Sequence, residues 1–276
     1  VPLTLLQGNV SQDEKYQDQR FSAPLWYLDQ IRQASPGLTL APETAFPLTT
    51  DQWPSDWWRA LRSVGSDRAV LIGAPWQSGD SQGYRNSVLA FEVADTSSTG
   101  TAPQYRYDKH HLVPFGEFIP WGFNWFVQAM RIPLGEFERG ASPQPSWSWG
   151  GLRWAPNICF EDLFGEELAQ QWRGGQGPHV LVNFSNIAWF GDTVAQHQHL
   201  NIARLRTLEL QRPMVRVTNT GSTVIIDHRG QVLAQSPHWQ RAVLRTEVSG
   251  RDGPATPYAR WAGAWGLLPL WGVGLL

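Results

Sequence analysis

The sequence predicts an α/β protein made of two layers of sheet with helices outside. Short apolar runs that read as strands alternate with helical stretches, and hairpins follow toward the end. Two of the runs, 69–73 and 180–184, are apolar throughout, so each needs cover on both faces. With 276 residues the chain is ample for a packed core, as one large domain or two small ones.

Val1 to Gly8 is apolar and reads as a buried strand. Tyr16 to Gln33 reads as a helix on the spacing of Tyr16, Leu25, Leu28 and Ile31, with Pro24 as an interruption. Leu38 to Ala41 is a second strand, stopped by Pro42. Trp53 to Val64 is a helix, with Trp57, Leu61 and Val64 on one face. Strands follow at 69–73, 86–93 and 105–107, the last two joined by a polar loop over 95–103. Phe115 to Phe137 is an apolar, irregular arm that is either core or a surface meeting lipid. Pro143 to Trp149 reads as loop, and Leu152 to Ile158 as a strand. A strand at 180–184 leads into a loop at 186–192. Val194 to Gln211 is a helix with Leu200, Ala203, Leu208 and Gln211 near one face. Strands at 214–218, 223–227, 232–234 and 243–248 complete the order, with turns at 219–222 and 228–230.

Basic and acidic residues nearly balance, 22 against 24, and no basic patch points to nucleic acid. His197 and His199 lie two apart and read as ordinary helix residues, with no metal or cofactor spacing anywhere. No signal peptide is visible. The 16 tryptophans suit either an aromatic core or a membrane surface, where one end of the ring is apolar and the other wet. From Trp261 to Leu276 no residue is charged. That run is shorter than the roughly 20 residues that span a bilayer. It reads as the first part of a transmembrane helix, with Tyr258 and Arg260 as interfacial anchors. The bland reading is a tail folded onto the domain.

Cys159 is the only cysteine, at the end of a predicted strand and before an acidic, helix-compatible run. A thiolate there gains from helix N-terminal amides, although a lone cysteine is more often a small buried hydrophobe. Two other strand ends carry chemistry. Glu43 follows Pro42 among Leu40, Ala45 and Phe46, where partial desolvation would raise its pKa toward that of a base. Lys109 follows Tyr105 and Tyr107, and could hold an oxyanion. Each has a bland reading as a solvated charge. Three polar groups at three strand ends is the arrangement that open α/β sheets use for sites.

In order and context, Glu43, Lys109 and Cys159 resemble the Glu-Lys-Cys triad of the nitrilase, or carbon–nitrogen hydrolase, superfamily. The stretches 41–45, 107–120, 183–192 and 204–213, with Gln7-Gly8-Asn9 and Tyr258-Ala259-Arg260-Trp261, are similar to its apolipoprotein N-acyltransferase branch. The resemblance implies a nitrilase-like α-β-β-α sandwich over 1–258, the start of a transmembrane helix over 259–276, and an N-terminal membrane domain outside this chain. It implies an inner-membrane enzyme with its catalytic domain on the periplasmic side. Its acyl donor would be a phospholipid and its acceptor a diacylated apolipoprotein. Glu43 would be the base, Cys159 the nucleophile, and Lys109 with the Phe160 backbone N–H the oxyanion site. Glu117 and Glu161 would hold the lysine and shape the pocket. Trp121, Trp125, Phe126, Trp189 and Phe190 would form an apolar screen and lipid gate. Tyr16 and Phe160 depart from the branch's usual Trp and Tyr. The rival readings are a soluble amidase of the same superfamily and a non-catalytic membrane-associated domain.

Overall fold

The computed structural model describes residues 1–10, 21–77, 83–92, 102–114, 116–118, 137–191 and 193–274, omitting the side chains of 189 and 190. Two six-stranded sheets lie face to face. The first comprises β1 (Pro2–Gln7), β2 (Gly37–Leu40), β3 (Arg68–Gln77), β4 (Tyr84–Glu92), β5 (Tyr105–Asp108) and β12 (Ala242–Glu247), in the order β12-β1-β2-β3-β4-β5. The second comprises β6 (Trp147–Trp149), β7 (Leu152–Ile158), β8 (Val180–Ser185), β9 (Met214–Thr218), β10 (Val224–Ile226) and β11 (Val232–Gln235), in the order β11-β10-β9-β8-β7-β6. The central strands β1, β2 and β3 run parallel, as do β7, β8 and β9.

Strand alternation explains the layers. Leu5, Leu40, Leu71 and Val88 of the first sheet meet Trp154, Val182, Phe184 and Val217 of the second in the central core. The opposite face of the first sheet packs under helices α1 (Ser22–Gln33) and α2 (Ser55–Arg62), through Tyr27, Ile31, Trp57, Leu61 and Phe91. The outer face of the second packs under α3 (Gly165–Ala169), α4 (Val194–Leu210) and α5 (Pro257–Trp265), through Leu168, Ala203, Leu210, Leu181 and Met214. The α-β-β-α sandwich is therefore present, with short 3₁₀ turns at the strand ends.

Several expectations change in detail. Pro24 does not interrupt α1. It lies in the first turn, where backbone N–H groups have no intrahelical partner, so its missing donor costs little. Leu28 and Ile31 are buried as expected, but Leu25 is exposed and Tyr27 joins the buried face instead, while Tyr16 lies outside the described residues. In α4, Leu208 is exposed and Gln211 is the left-handed cap. The inner face instead carries Gln196, Ala203, Arg206, Thr207 and Leu210. Buried polar residues disguise the stripe. Trp147 to Trp149, expected as loop, pairs with β7 as an edge strand. Trp53, Trp57, Trp147, Trp154 and Trp172 are core residues, so much of the tryptophan content serves packing.

The uncharged C-terminal run is not one straight helix. Thr256 caps α5, its hydroxyl accepting from the Ala259 N–H at 3.0 Å. Ala259 and Ala262 are buried in the outer core. The helix stops at Gly266, whose φ of 56° breaks the run. A short α6 (Leu268–Gly274) follows with Leu268, Leu270, Trp271 and Val273 exposed. Among the described residues no helix is long and apolar enough to cross a membrane. The docking of α5 depends on Gly263, where an added Cβ would lie 2.6 Å from the Ala169 carbonyl oxygen. Gly263→Val should therefore lower stability by about 1–3 kcal/mol, the usual cost of overpacking. Gly272→Ala, facing open space, should lower it far less. Urea midpoints of the two variants make the comparison, and equal midpoints would mean that α5 contributes nothing.

Candidate active site

Three strand ends converge at one end of the sandwich. Lys109 directly follows β5 and is only 1% exposed. Its backbone N–H donates to the Asn86 carbonyl at 2.8 Å, fixing where its side chain starts. The ammonium donates to Glu117 Oε1 at 2.9 Å and to Glu43 Oε1 at 3.3 Å. A buried ammonium is tolerated when paired in this way. Burial alone would lower the lysine's pKa, but Glu43, Cys159 and Glu117 overcome it and hold the value above the ordinary range. Asn86 completes the cluster. Its side-chain amide donates to Glu43 at 2.8 Å and to Glu117 at 2.9 Å, holding both carboxylates around the lysine.

Glu43 sits in the turn after β2, which lies flat on β3. The Ala41 N–H donates to the Leu71 carbonyl and the Phe46 N–H to the Gly73 carbonyl. Gly73 permits that approach, because a Cβ there would lie 2.5 Å from the Pro42 carbonyl oxygen and 2.6 Å from the Glu43 Cα. The second carboxylate oxygen of Glu43 accepts from the Asn186 N–H at 2.8 Å. Its partners are thus polar rather than the flanking apolar residues. Glu117 Oε2 accepts the Val113 N–H at 2.8 Å, which anchors the segment after Lys109.

Cys159 opens the 3₁₀ turn Cys159–Leu163 directly after β7 and is half-buried, with a left-handed φ of 56°. This strained elbow lifts the side chain off the strand toward the lysine. Burial and the Glu43 carboxylate push its thiol up to about 12, while Lys109 and the Ser185 hydroxyl pull the other way. Phe160 lies under the lysine, with the ammonium 5.5 Å from its ring centroid. That contact needs an aromatic face and no hydroxyl.

Glu161 does not touch the lysine. Its carboxylate accepts from the N–H groups of His110 at 2.7 Å, His111 at 3.1 Å and Ile158 at 2.6 Å, and from the Tyr107 hydroxyl at 2.9 Å. It ties the end of β5 to the end of β7 across the two sheets. Burial holds its pKa above the ordinary carboxylate range, against the pull of those donors. Asp162 beside it pairs with Arg216 of β9 at 3.3 Å, both with fully buried side chains. His199 Nδ1 lies 3.5 Å from the same carboxylate.

Glu43, Lys109, Glu117 and Cys159 are therefore together, and Glu161 braces them. Trp121, Trp125 and Phe126 lie outside the described residues. Trp189 and Phe190 belong to a 3₁₀ turn, Ile187–Phe190, that follows Asn186. Asn86, Gly73 and Arg216 were missed. The one available signal was a polar Asn86 opening an apolar strand. With two carboxylates around one ammonium, the arrangement suits a base, an oxyanion holder and a thiol nucleophile.

The profile of the carbon-nitrogen hydrolase family matches residues 67–256, which include Lys109 and Cys159 and begin after Glu43. The chain is 51% identical to an apolipoprotein N-acyltransferase of Verminephrobacter eiseniae over 97% of this chain and 51% of that protein. It is 43% identical to one of Ralstonia nicotianae over 100% of this chain and 51% of that protein. The chain thus spans about half the length of the curated relatives it matches. In fold it is similar to a CN-hydrolase superfamily protein from Xanthomonas campestris that carries an arsenic adduct in its active site. There the TM-score is 0.63 and the identity 16%, over 98% of this chain and 96% of that one. It is likewise similar to a nitrilase-superfamily amidase from Nesterenkonia AN1, at TM-score 0.64 and 18% identity over 98% and 97% of the two chains.

Three outcomes follow from the geometry. A thiol pushed up is a thiol at neutral pH, so alkylation by iodoacetamide should climb about tenfold per pH unit between pH 7 and 10. Glu43→Gln removes the charge that raises the thiol and should speed alkylation at pH 8, whereas Lys109→Met should slow it. A slower Glu43→Gln would reverse the assigned electrostatics. Gly73→Ala should displace Glu43 and cut acylation of Cys159 by an activated ester at least about tenfold, since misplacement by an ångström can cost on the order of a hundredfold. Unchanged acylation kinetics would show that the turn moves freely.

Proposed function

Because this chain belongs to the carbon-nitrogen hydrolase family, we propose that it is the catalytic part of an apolipoprotein N-acyltransferase. It moves an acyl chain from a phospholipid to the N-terminal amine of a diacylglyceryl-cysteine apolipoprotein. The observation that carries the reading is the Lys109 ammonium held by Glu43 and Glu117 next to Cys159. The names of relatives at 43–51% identity support N-acylation of an apolipoprotein, and the phospholipid donor and diacylated acceptor follow from the resemblance in sequence.

Glu43 takes the Cys159 proton as the sulfur attacks the ester carbonyl of the phospholipid. Lys109 and the Phe160 N–H hold the oxyanion. The carbon–oxygen bond breaks, Glu43 returns the proton to the leaving alkoxide, and a lysophospholipid departs. The α-amine of the lipoprotein then attacks the thioester, and a proton passes through Glu43 as the amide forms and the thiol is restored. Glu117 and Asn86 keep the lysine and Glu43 in place, and Glu161 keeps the two strand ends together. Trp121, Trp125, Phe126, Trp189 and Phe190 keep water from the thioester and admit acyl chains. The exposed apolar side chains of α6 rest at the surface of the bacterial inner membrane, with the catalytic domain on its periplasmic side.

Intact-mass spectrometry tests this after incubation with phosphatidylethanolamine in detergent micelles. Wild type should gain one acyl mass and Cys159→Ala none. A diacylglyceryl-cysteine peptide should discharge the adduct and appear N-acylated. Discharge by water at the same rate with or without the peptide would make the protein a hydrolase. Turnover of small amides with no lipid adduct would favour an amidase. No adduct and an inert Cys159 would favour a non-catalytic domain.

A further inference from the structure

Behind the nucleophile lies a buried polar pair that the mechanism above does not use. Asn157 of β7 and Asn183 of β8 sit opposite each other in register, both wholly buried. They share the parity of Ala155 and Leu181 on their strands, and those two belong to the helix-facing core. Buried amides in such a layer must be hydrogen-bonded. The Cys159 carbonyl can only accept, so the Asn183 atom 2.8 Å from it is the amide nitrogen. The same nitrogen donates to Asn157 Oδ1 at 2.6 Å, and Asn157 Nδ2 donates to the Val182 carbonyl at 3.2 Å. Asn183 thus donates both ways, forward to the Cys159 carbonyl and back to Asn157, which in turn is tied to the Val182 carbonyl.

That carbonyl belongs to the peptide plane shared by Cys159 and Phe160. In a trans peptide the N–H points opposite to the C=O. Drawing the oxygen toward Asn183, into the sheet's buried side, turns the Phe160 N–H the other way, toward the mouth of the site. Cys159 also has a left-handed φ, a conformation that survives only where its surroundings enforce it. At the far end of the same turn, Asp162 is fixed by Arg216, so both ends of the turn are tied to the sheet.

We propose that Asn183, backed by Asn157, is a positioning residue that aims the Phe160 N–H at the oxyanion by holding the Cys159 carbonyl from behind. The proposal rests on the reading of Cys159 as the nucleophile. It separates two reactions of one sulfur. Alkylation needs the sulfur alone, whereas acylation needs the sulfur and a donor aimed at the developing oxyanion.

The test compares wild type, Asn183→Leu and the double variant Asn157→Leu/Asn183→Leu. The double variant replaces both polar partners and is the one expected to fold if the single variant does not. Alkylation by iodoacetamide at pH 8 should stay within about threefold of wild type, because the sulfur is untouched. The burst of p-nitrophenol from p-nitrophenyl butyrate should slow by at least about thirtyfold, toward the usual effect of losing one oxyanion donor. The loss should fall on the rate constant at saturating ester, not on the concentration giving half-saturation. Folded variants in which both rates hold, or both fall together, would overturn the proposal. A wild type with no burst would sink the nucleophile reading, and this one with it.

Discussion

The buried ammonium of Lys109 is the constraint on which the site depends. Removing a lysine from water costs several kcal/mol unless anions and acceptors surround it. Here two carboxylates and one asparagine do so, and each is held from elsewhere. Glu43 is pinned by the Asn186 N–H, Glu117 by the Val113 N–H, and Asn86 by its place in β4. Two negative charges around one positive leave an excess of one. Burial first, and then the Glu43 carboxylate, hold the Cys159 thiol above its ordinary range in spite of the ammonium. A reacting carbonyl changes the account, since negative charge then forms on an oxygen beside the ammonium rather than on sulfur.

The acidic residues that follow the nucleophile divide their work. Glu161 and Asp162 are adjacent, and both are buried. Glu161 takes four donors from the ends of two strands in different sheets, and so fixes the separation between Lys109 and Cys159. Asp162 turns the other way and meets Arg216 on the outer side of the second sheet. Neither needs to take part in proton transfer to be indispensable to its geometry.

Much of this was legible in the sequence, for reasons that can be named. Continuous apolar runs gave the strands, and Glu43, Lys109 and Cys159 stood out as polar groups where such runs stop. What the sequence hid was mostly pairing across space. Gly73 matters because the Glu43 turn lies on it, a contact between residues thirty positions apart. Arg216 and Asn183 look like interruptions in strands until their partners are seen. The face of α4 was misjudged because Arg206 and Thr207 are buried with partners. The C-terminal run was read by hydropathy alone, which carries no information about the left-handed backbone at Gly266.

The ordering of the first sheet has a consequence for folding. Its edge strand β12 pairs with β1, Pro2 opposite Glu247, so the first strand of the sheet waits for the twelfth. Glu43 and Lys109 sit on that sheet, while Cys159 sits on the other. A folding chain therefore brings its thiol to the cluster of charges only when the two sheets meet. Contacts this distant in sequence form late and slowly. The reactive combination is thus a product of the final assembly, and an incompletely folded chain holds only an ordinary cysteine.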